Sequence, residues 1–310
     1  MHKKYYGIFI TMITLIIALS LEFAVKGHAG AGGEKVRSDL EGKPLAEYEL
    51  VSSHAVDGRQ GIACENGLYY VSGSTSLSVY DEDWNKIKSA ADPFSQFEAQ
   101  VNHIGDIDAY KGEIYAGVEY FMDGEASNIQ IAVYDAKTLE LTRTYMFDAK
   151  SGQTECSGIA VDPDSKSIWM CSWAEDESGT YLYRYDLEKG AYLGKVHMKD
   201  APEMIQGVVY YEGSLYITSD DGSADDDEPD HVYRCEVDMK IDEFTPHMER
   251  ELYDVTRQGE IEGISFDKDK KQMLISYNRG AIIVKGMPKG FYEGYDEEIH
   301  EIFVYNISDK

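Results

Sequence analysis

The sequence predicts an all-β fold, a five-bladed β-propeller of four-stranded blades, on three observations. A glycine-centred strand recurs along the chain, and three further strand types follow it in a constant order. The last copy lacks an outer strand, which a segment near the start can supply. Four short strands at about 50 residues per unit is the spacing of a propeller blade.

The inner strand is a small or polar residue, then Gly, then a β-branched residue: Gln60-Gly61-Ile62, Ser157-Gly158-Ile159, Gln206-Gly207-Val208 and Glu262-Gly263-Ile264. Gly105-Asp106-Ile107 is a degenerate copy, and successive columns lie 45, 52, 49 and 56 residues apart. A second strand follows each turn, at 68–71, 114–117, 168–171, 215–218 and 273–276. The third falls at 77–81, 131–135, 182–186, 232–236 and 302–306, and a fourth at 84–88, 141–147, 192–198 and 247–253. The fifth unit stops after its third strand. Segment 45–51 has the alternation of the fourth strands, so it is expected to close the last blade and remove an open sheet edge. Six blades with one atypical is the competing count.

A 310-residue chain that is 43% hydrophobic suits one large domain or two small ones. Its 24 Tyr against 7 Pro favour strands. A net charge of −28 repels phosphate backbones and anionic lipid, so nucleic acid is not an expected partner. It favours divalent cations and cationic ligands, or serves solubility alone. Lys3 and Lys4 precede an apolar run over 8–21, and Ala29-Gly30-Ala31 offers a cleavage site, so residues 1–31 read as a signal peptide. Glu22 ends the run at 14 residues, short of the roughly 20 that span a bilayer. An uncleaved membrane anchor over 5–25 is the alternative. Either way the domain is expected outside the cytoplasm, secreted or tethered at the outer face of the membrane. Residues 32–43 read as a linker and 44–310 as a single propeller domain. The cysteines, Cys64, Cys156, Cys171 and Cys235, lack C-x-x-C spacing. Cys156 and Cys171 flank a turn near Asp164 and are expected to form a cross-strand disulfide or to stay as buried thiols.

Propeller geometry places the residues before each column on one rim of the channel. With a strand period of two, Gln60, Ser157, Gln206 and Glu262 share a side with His103, Glu155 and Glu260. Arg59 and Asp106 are adjacent. Carboxylates held this close repel unless protonated or bridged by a cation, so His103, Asp106, Glu260 and Glu262 are candidate metal ligands. Backbone N–H groups or Arg59 satisfying each acid is the other reading. The rim loops add Phe121, Trp173 and Arg279, which with Gln60 and Gln206 make the candidate ligand-binding set. The acidic loop 220–231 has the composition of a calcium loop without its register and reads as a solvated loop. No G-x-S-x-G, H-E-x-x-H or P-loop motif occurs.

Arg59-Gln60-Gly61-Ile62, Asn66-Gly67-Leu68-Tyr69-Tyr70-Val71-Ser72-Gly73 and the strand 77–81 resemble the opening blade of the plant-and-bacterial-type glutaminyl cyclotransferases, which are five-bladed. Glu155-Cys156-Ser157-Gly158-Ile159 resembles their E-G-W-G-L motif, with Ser157 in the Trp position. The resemblance implies a site including Gln60 and Glu155. The strand at Glu262 is also similar to those of gluconolactonase-type and phytase-like propellers, where channel-mouth acids hold calcium.

Two functions follow as expectations. One is an exported propeller that binds a small molecule, peptide or surface ligand, or an ion, at the channel mouth. The other is a metal-assisted enzyme there, either a cyclotransferase or a lactone or phosphoester hydrolase. In it Glu155 is the general acid/base and Arg59 the anion or oxyanion partner. The expected cofactor is a divalent cation, calcium or zinc, with no organic cofactor. A monomer is expected, meeting membrane only through an uncleaved N-terminal segment.

Overall fold

The computed structural model describes residues 43–310 except 224, 225, 227, 237–239, 241 and 255–258. The signal segment 1–31 and the linker up to residue 42 lie outside the described residues. The chain divides into two compact units, and everything below concerns the second, Leu40–Lys310.

After β1 (Ala46–Ala55), the first blade is β2 (Gly61–Glu65), β3 (Leu68–Gly73), β4 (Ser76–Tyr80) and β5 (Lys86–Ser89). The second is β6 (His103–Tyr110), β7 (Glu113–Met122), β8 (Glu125–Asp135) and β9 (Leu141–Met146). The third is β10 (Ile159–Asp162), β11 (Ser167–Met170), β12 (Tyr181–Asp186) and β13 (Tyr192–Met198). The fourth is β14 (Ile205–Tyr211), β15 (Ser214–Ser219) and β16 (His231–Cys235), then, after the short β17 (Glu243–Phe244), β18 (His247–Glu251). The fifth is β19 (Gly259–Asp267) and β20 (Gln272–Arg279), then, past a β21 (Ala281–Val284) and β22 (Met287–Phe291) hairpin, β23 (Ile299–Asp309).

The last blade is finished by β1, antiparallel to β23 from Ala46↔Asp309 to Ala55↔Glu301. The closing strand runs past 45–51 because a bulge between Leu50 and Ser52 lets it keep pace with β23. Asn66-Gly67, Lys111-Gly112 and Glu212-Gly213 turn the inner hairpins with φ positive at both residues, the geometry of a two-residue type I′ loop.

Each blade is apolar on both faces because each is sandwiched between two others. Within β11, Ile168 and Met170 pack toward the second blade and Trp169 toward the fourth. Five such layers, one per blade interface, make the core a ring. Cys156 and Cys171 belong to different layers and both are free thiols. The strand register explains this: the Cys171 N–H donates to Gly158, so Cys156 lies two residues off the position facing it. Of the two readings, the buried thiols stand and the disulfide falls.

Candidate functional site

The inner strands converge until their backbones touch. A Cβ on Gly61 would lie 2.7 Å from the Asp106 Cα, and one on Gly207 2.8 Å from the Gly263 Cα. Side chains cannot occupy four of the five column positions, and the fifth carries one that fills the axis. The Asp106 carboxylate accepts the N–H of Ile107 at 2.8 Å and of Val208 at 3.3 Å, with Ile62 a third donor. Backbone bonds join neighbouring inner strands too, Gly263 N–H to Gln60 at 2.7 Å and Asp106 N–H to Ser157 at 2.8 Å. Hydroxyls bracket adjoining blades: Ser72 to the Gly105 carbonyl at 2.8 Å, Ser157 to that of Ile205 at 2.7 Å, and Thr218 to that of Glu262. Asp106 is therefore the floor of the site rather than a ligand in its mouth.

Above that floor is a cavity of about 30 Å³, room for water on the scale of a molecule or two. Gln60, Glu155, Gln206, Glu260 and Glu262 line it from below, with Arg59 and His103 to one side and Phe121 and Trp173 as walls. Arg59, His103, Phe121 and Gly286 also border a cleft of about 660 Å³ that runs outward past Val56 and Pro288. That volume is in the range of small-molecule sites. Phe121 is held from behind by Asn102, whose side chain accepts its N–H at 2.7 Å and donates to its carbonyl at 2.9 Å. The Phe121 ring stands 5.5 Å from the His103 ring and edge-on to Trp173 at 6.4 Å.

Amides donate to two of the acids. Gln60 donates to Glu262 at 2.9 Å and Gln206 to Glu260 at 3.0 Å, while the His103 Nε2 faces the Gln60 Oε1 at 2.8 Å. Glu155 accepts the Trp173 N–H at 2.6 Å. Arg59 donates to the Gly286 carbonyl at 3.3 Å and lies 3.9 Å from Glu298, and its Nη1 has no hydrogen-bond partner. Burial dominates the electrostatics. It raises Glu155 and Glu262 well above the usual carboxylate range, helped by Glu119 and Glu260 respectively, and raises Glu260 to about 7 against the pull of Arg59. Asp220, beside Glu260, is raised too, and His103 is lowered to about 4 by burial and then by Arg59.

Of the residues read from the sequence, Gln60, Arg59, His103, Phe121, Glu155, Trp173, Gln206, Glu260 and Glu262 thus meet at one cavity. Arg279 does not join them: it pairs with Glu301 on the neighbouring strand at 2.6 Å and donates to Tyr295 at 3.2 Å. The four candidate metal ligands are committed elsewhere: His103 and Glu262 to Gln60, Glu260 to Gln206, and Asp106 to backbone N–H groups. Among the described residues no group of three His, Cys, Asp or Glu is arranged to hold a metal ion. In the acidic loop, Asp221 holds His231 at 2.8 Å and Asp230 accepts the Tyr277 hydroxyl at 2.7 Å, so its ends are pinned. Asn102, Ser72, Thr218 and Glu119 shape the site without having been singled out. Their only sequence signal is position within the repeat. Among the described residues no helix is long and apolar enough to cross a membrane.

No protein-family model and no curated protein matches the chain. Solved structures do. The PQQ-bound form of aldose sugar dehydrogenase from Streptomyces coelicolor is 12% identical with a TM-score of 0.46, over 84% of this chain and 99% of that one. The hydrazine synthase of Kuenenia stuttgartiensis is 10% identical with a TM-score of 0.42, over 83% and 67%. Neither likeness bears on the chemistry of the mouth.

Proposed function

We propose that the channel mouth binds a small organic ligand through an amine or other cationic hydrogen-bond donor. The observation that carries this is the convergence of Glu155, Glu260 and Glu262 on one cavity walled by Phe121 and Trp173. An ammonium group among them would offset the mutual repulsion of the acids and face aromatic rings able to attract it. The metal site expected from the same acids would need them to leave Gln60 and Gln206, so an organic cation fits the residues better than calcium or zinc. Titration calorimetry with a panel of primary amines, and with each metal as control, tests the reading. At least one amine should bind, and Glu262→Gln and Trp173→Ala should each weaken it about tenfold or more, roughly the cost of one charged contact. Equal affinity in both variants would sink it.

A second reading keeps the same site and adds catalysis. Burial raises Glu155 well above the usual carboxylate range, which suits a general acid/base, and an N-terminal glutamine brings both the amine and an amide leaving group. This is the glutaminyl cyclotransferase-like activity. The assay is cyclisation of an N-terminal glutaminyl peptide, which Glu155→Gln should abolish. No turnover by the parent protein removes the enzyme and leaves the binding site.

A further inference from the structure

Glu119 is fully buried on β7, directly across from His103 on β6. Its Oε2 accepts the Cys156 N–H at 3.0 Å and faces the Cys156 thiol at 3.4 Å. Its Oε1 has no partner, and neither has the His103 Nδ1, yet the two atoms point at each other 3.6 Å apart. Two buried polar atoms without partners are costly, and a slight side-chain rotation would satisfy both. The other end of the ring fixes one of its two nitrogens. Gln60 donates its amide N–H to Glu262, so the atom it turns to His103 is its oxygen, which only accepts. The His103 Nε2 must then carry hydrogen. A neutral imidazole would then have its lone pair on Nδ1, and the donor facing it would be a protonated Glu119. Burial favours this assignment at both groups, raising Glu119 to about 8 and lowering His103 to about 4.

We propose that Glu119 is a positioning residue of the channel mouth: its carboxyl O–H donates a hydrogen bond to the His103 Nδ1, holding the ring so that Nε2–H orients the Gln60 amide toward Glu262. The chain Glu119–His103–Gln60–Glu262 thus carries one donor direction from behind the wall of the cavity to its floor. Only the last three members touch the cavity. Glu119 helps to raise Glu155, but the Glu155 carboxyl is turned away to the Trp173 N–H. The inference rests on the mouth being the binding site but not on which ligand it takes.

The test is nitrogen NMR of the His103 ring in the whole folded protein, without ligand. The expected spectrum has a pyrrole-type Nε2 and a pyridine-type Nδ1 displaced by a hydrogen bond. Glu119→Ala should lose that displacement and Glu119→Gln, which still donates, should restore it. In the same three proteins, affinity for the best primary amine should fall at least about threefold in the alanine variant and recover in the glutamine one, a threefold change being the low end of what one ordinary hydrogen bond contributes. A proton on Nδ1 in the parent protein overturns the proposal, as does an Nδ1 resonance unchanged by Glu119→Ala. If no amine binds the parent protein, the ligand reading fails, and the ring nitrogens alone decide the role of Glu119.

Discussion

Four of the five inner strands carry glycine where they meet the axis, and Asp106 supplies the one side chain that the shared space holds. Its carboxylate gathers backbone N–H groups from three blades that would otherwise be buried unsatisfied. Asp106→Ala should therefore cost about 2–4 kcal/mol, from unsatisfied donors and an axial void, measured by urea unfolding. Gly263→Ala should cost a similar amount for the opposite reason, since its Cβ would lie 2.7 Å from the Gly61 Cα and against the Asp106 carboxylate. A loss below about 0.5 kcal/mol in either would mean that the axis is looser than its backbone contacts imply. The glycine column itself is legible in the sequence. What is not legible is that it closes completely, so Asp106 reads there as a member of an ion site when it is the plug beneath the cavity.

At the scale of elements, the closing strand is anchored by a buried ion pair on the adjacent blade. Arg234 and Glu249, both nearly inaccessible, are 3.2 Å apart, and Glu249 accepts the Leu45 N–H at 2.8 Å and the Tyr48 hydroxyl at 3.0 Å. Removing one partner leaves the other charge buried without compensation, so Arg234→Met should cost roughly 3–5 kcal/mol. The double variant Arg234→Met/Glu249→Leu should recover part of that loss, which chemical denaturation of both variants would show. Additive losses would mean that the pair does not act as a unit. Bulges decide another feature at this scale. Registers slip at the axis in three blades, between Ile104 and Ile107, Ile205 and Gly207, and Ile261 and Ile264. The first slip sets Glu119, rather than Tyr120, opposite His103. Repeat spacing locates the strands, but a single inserted residue in a ladder leaves no composition to read.

Across the whole molecule, burial of acids makes stability depend on pH in a defined direction. Glu119 is raised to about 8, Glu260 to about 7, and Asp108 and Asp230 to about 6, burial being the first cause in each. These groups hold more protons folded than unfolded between their ordinary range and those values, so stability is present at low pH and is lost as pH rises through them. Glu113, bound by Arg143, and Glu298, bound by His300, are lowered and act the other way, losing their contribution as pH falls below the ordinary range. The fold should thus be more stable near about pH 5.5 than near about pH 8.5, by several kcal/mol, and Glu119→Gln should shrink the difference. Calorimetric melting at the two pH values checks this. A midpoint that rises with pH would contradict it. A bound cation at the mouth would flatten the alkaline fall, which links this measurement to the ligand proposal.

The sequence by itself determined the number of blades, the strand order and the identity of the closing strand. These depend on local alternation, turn residues and a repeat, all of which one chain displays in linear form. It also determined that Gln60, Glu155, Gln206, Glu260 and Glu262 share a rim, because strand periodicity and blade equivalence fix their side. Only the tertiary structure decided that Asp106 plugs the axis, that Arg279 is taken by Glu301, that Cys156 and Cys171 face different blades and that Glu119 stands behind His103. Each of these depends on distances between segments far apart in the chain, on bulge registers and on which of several nearby partners a buried polar group finds first.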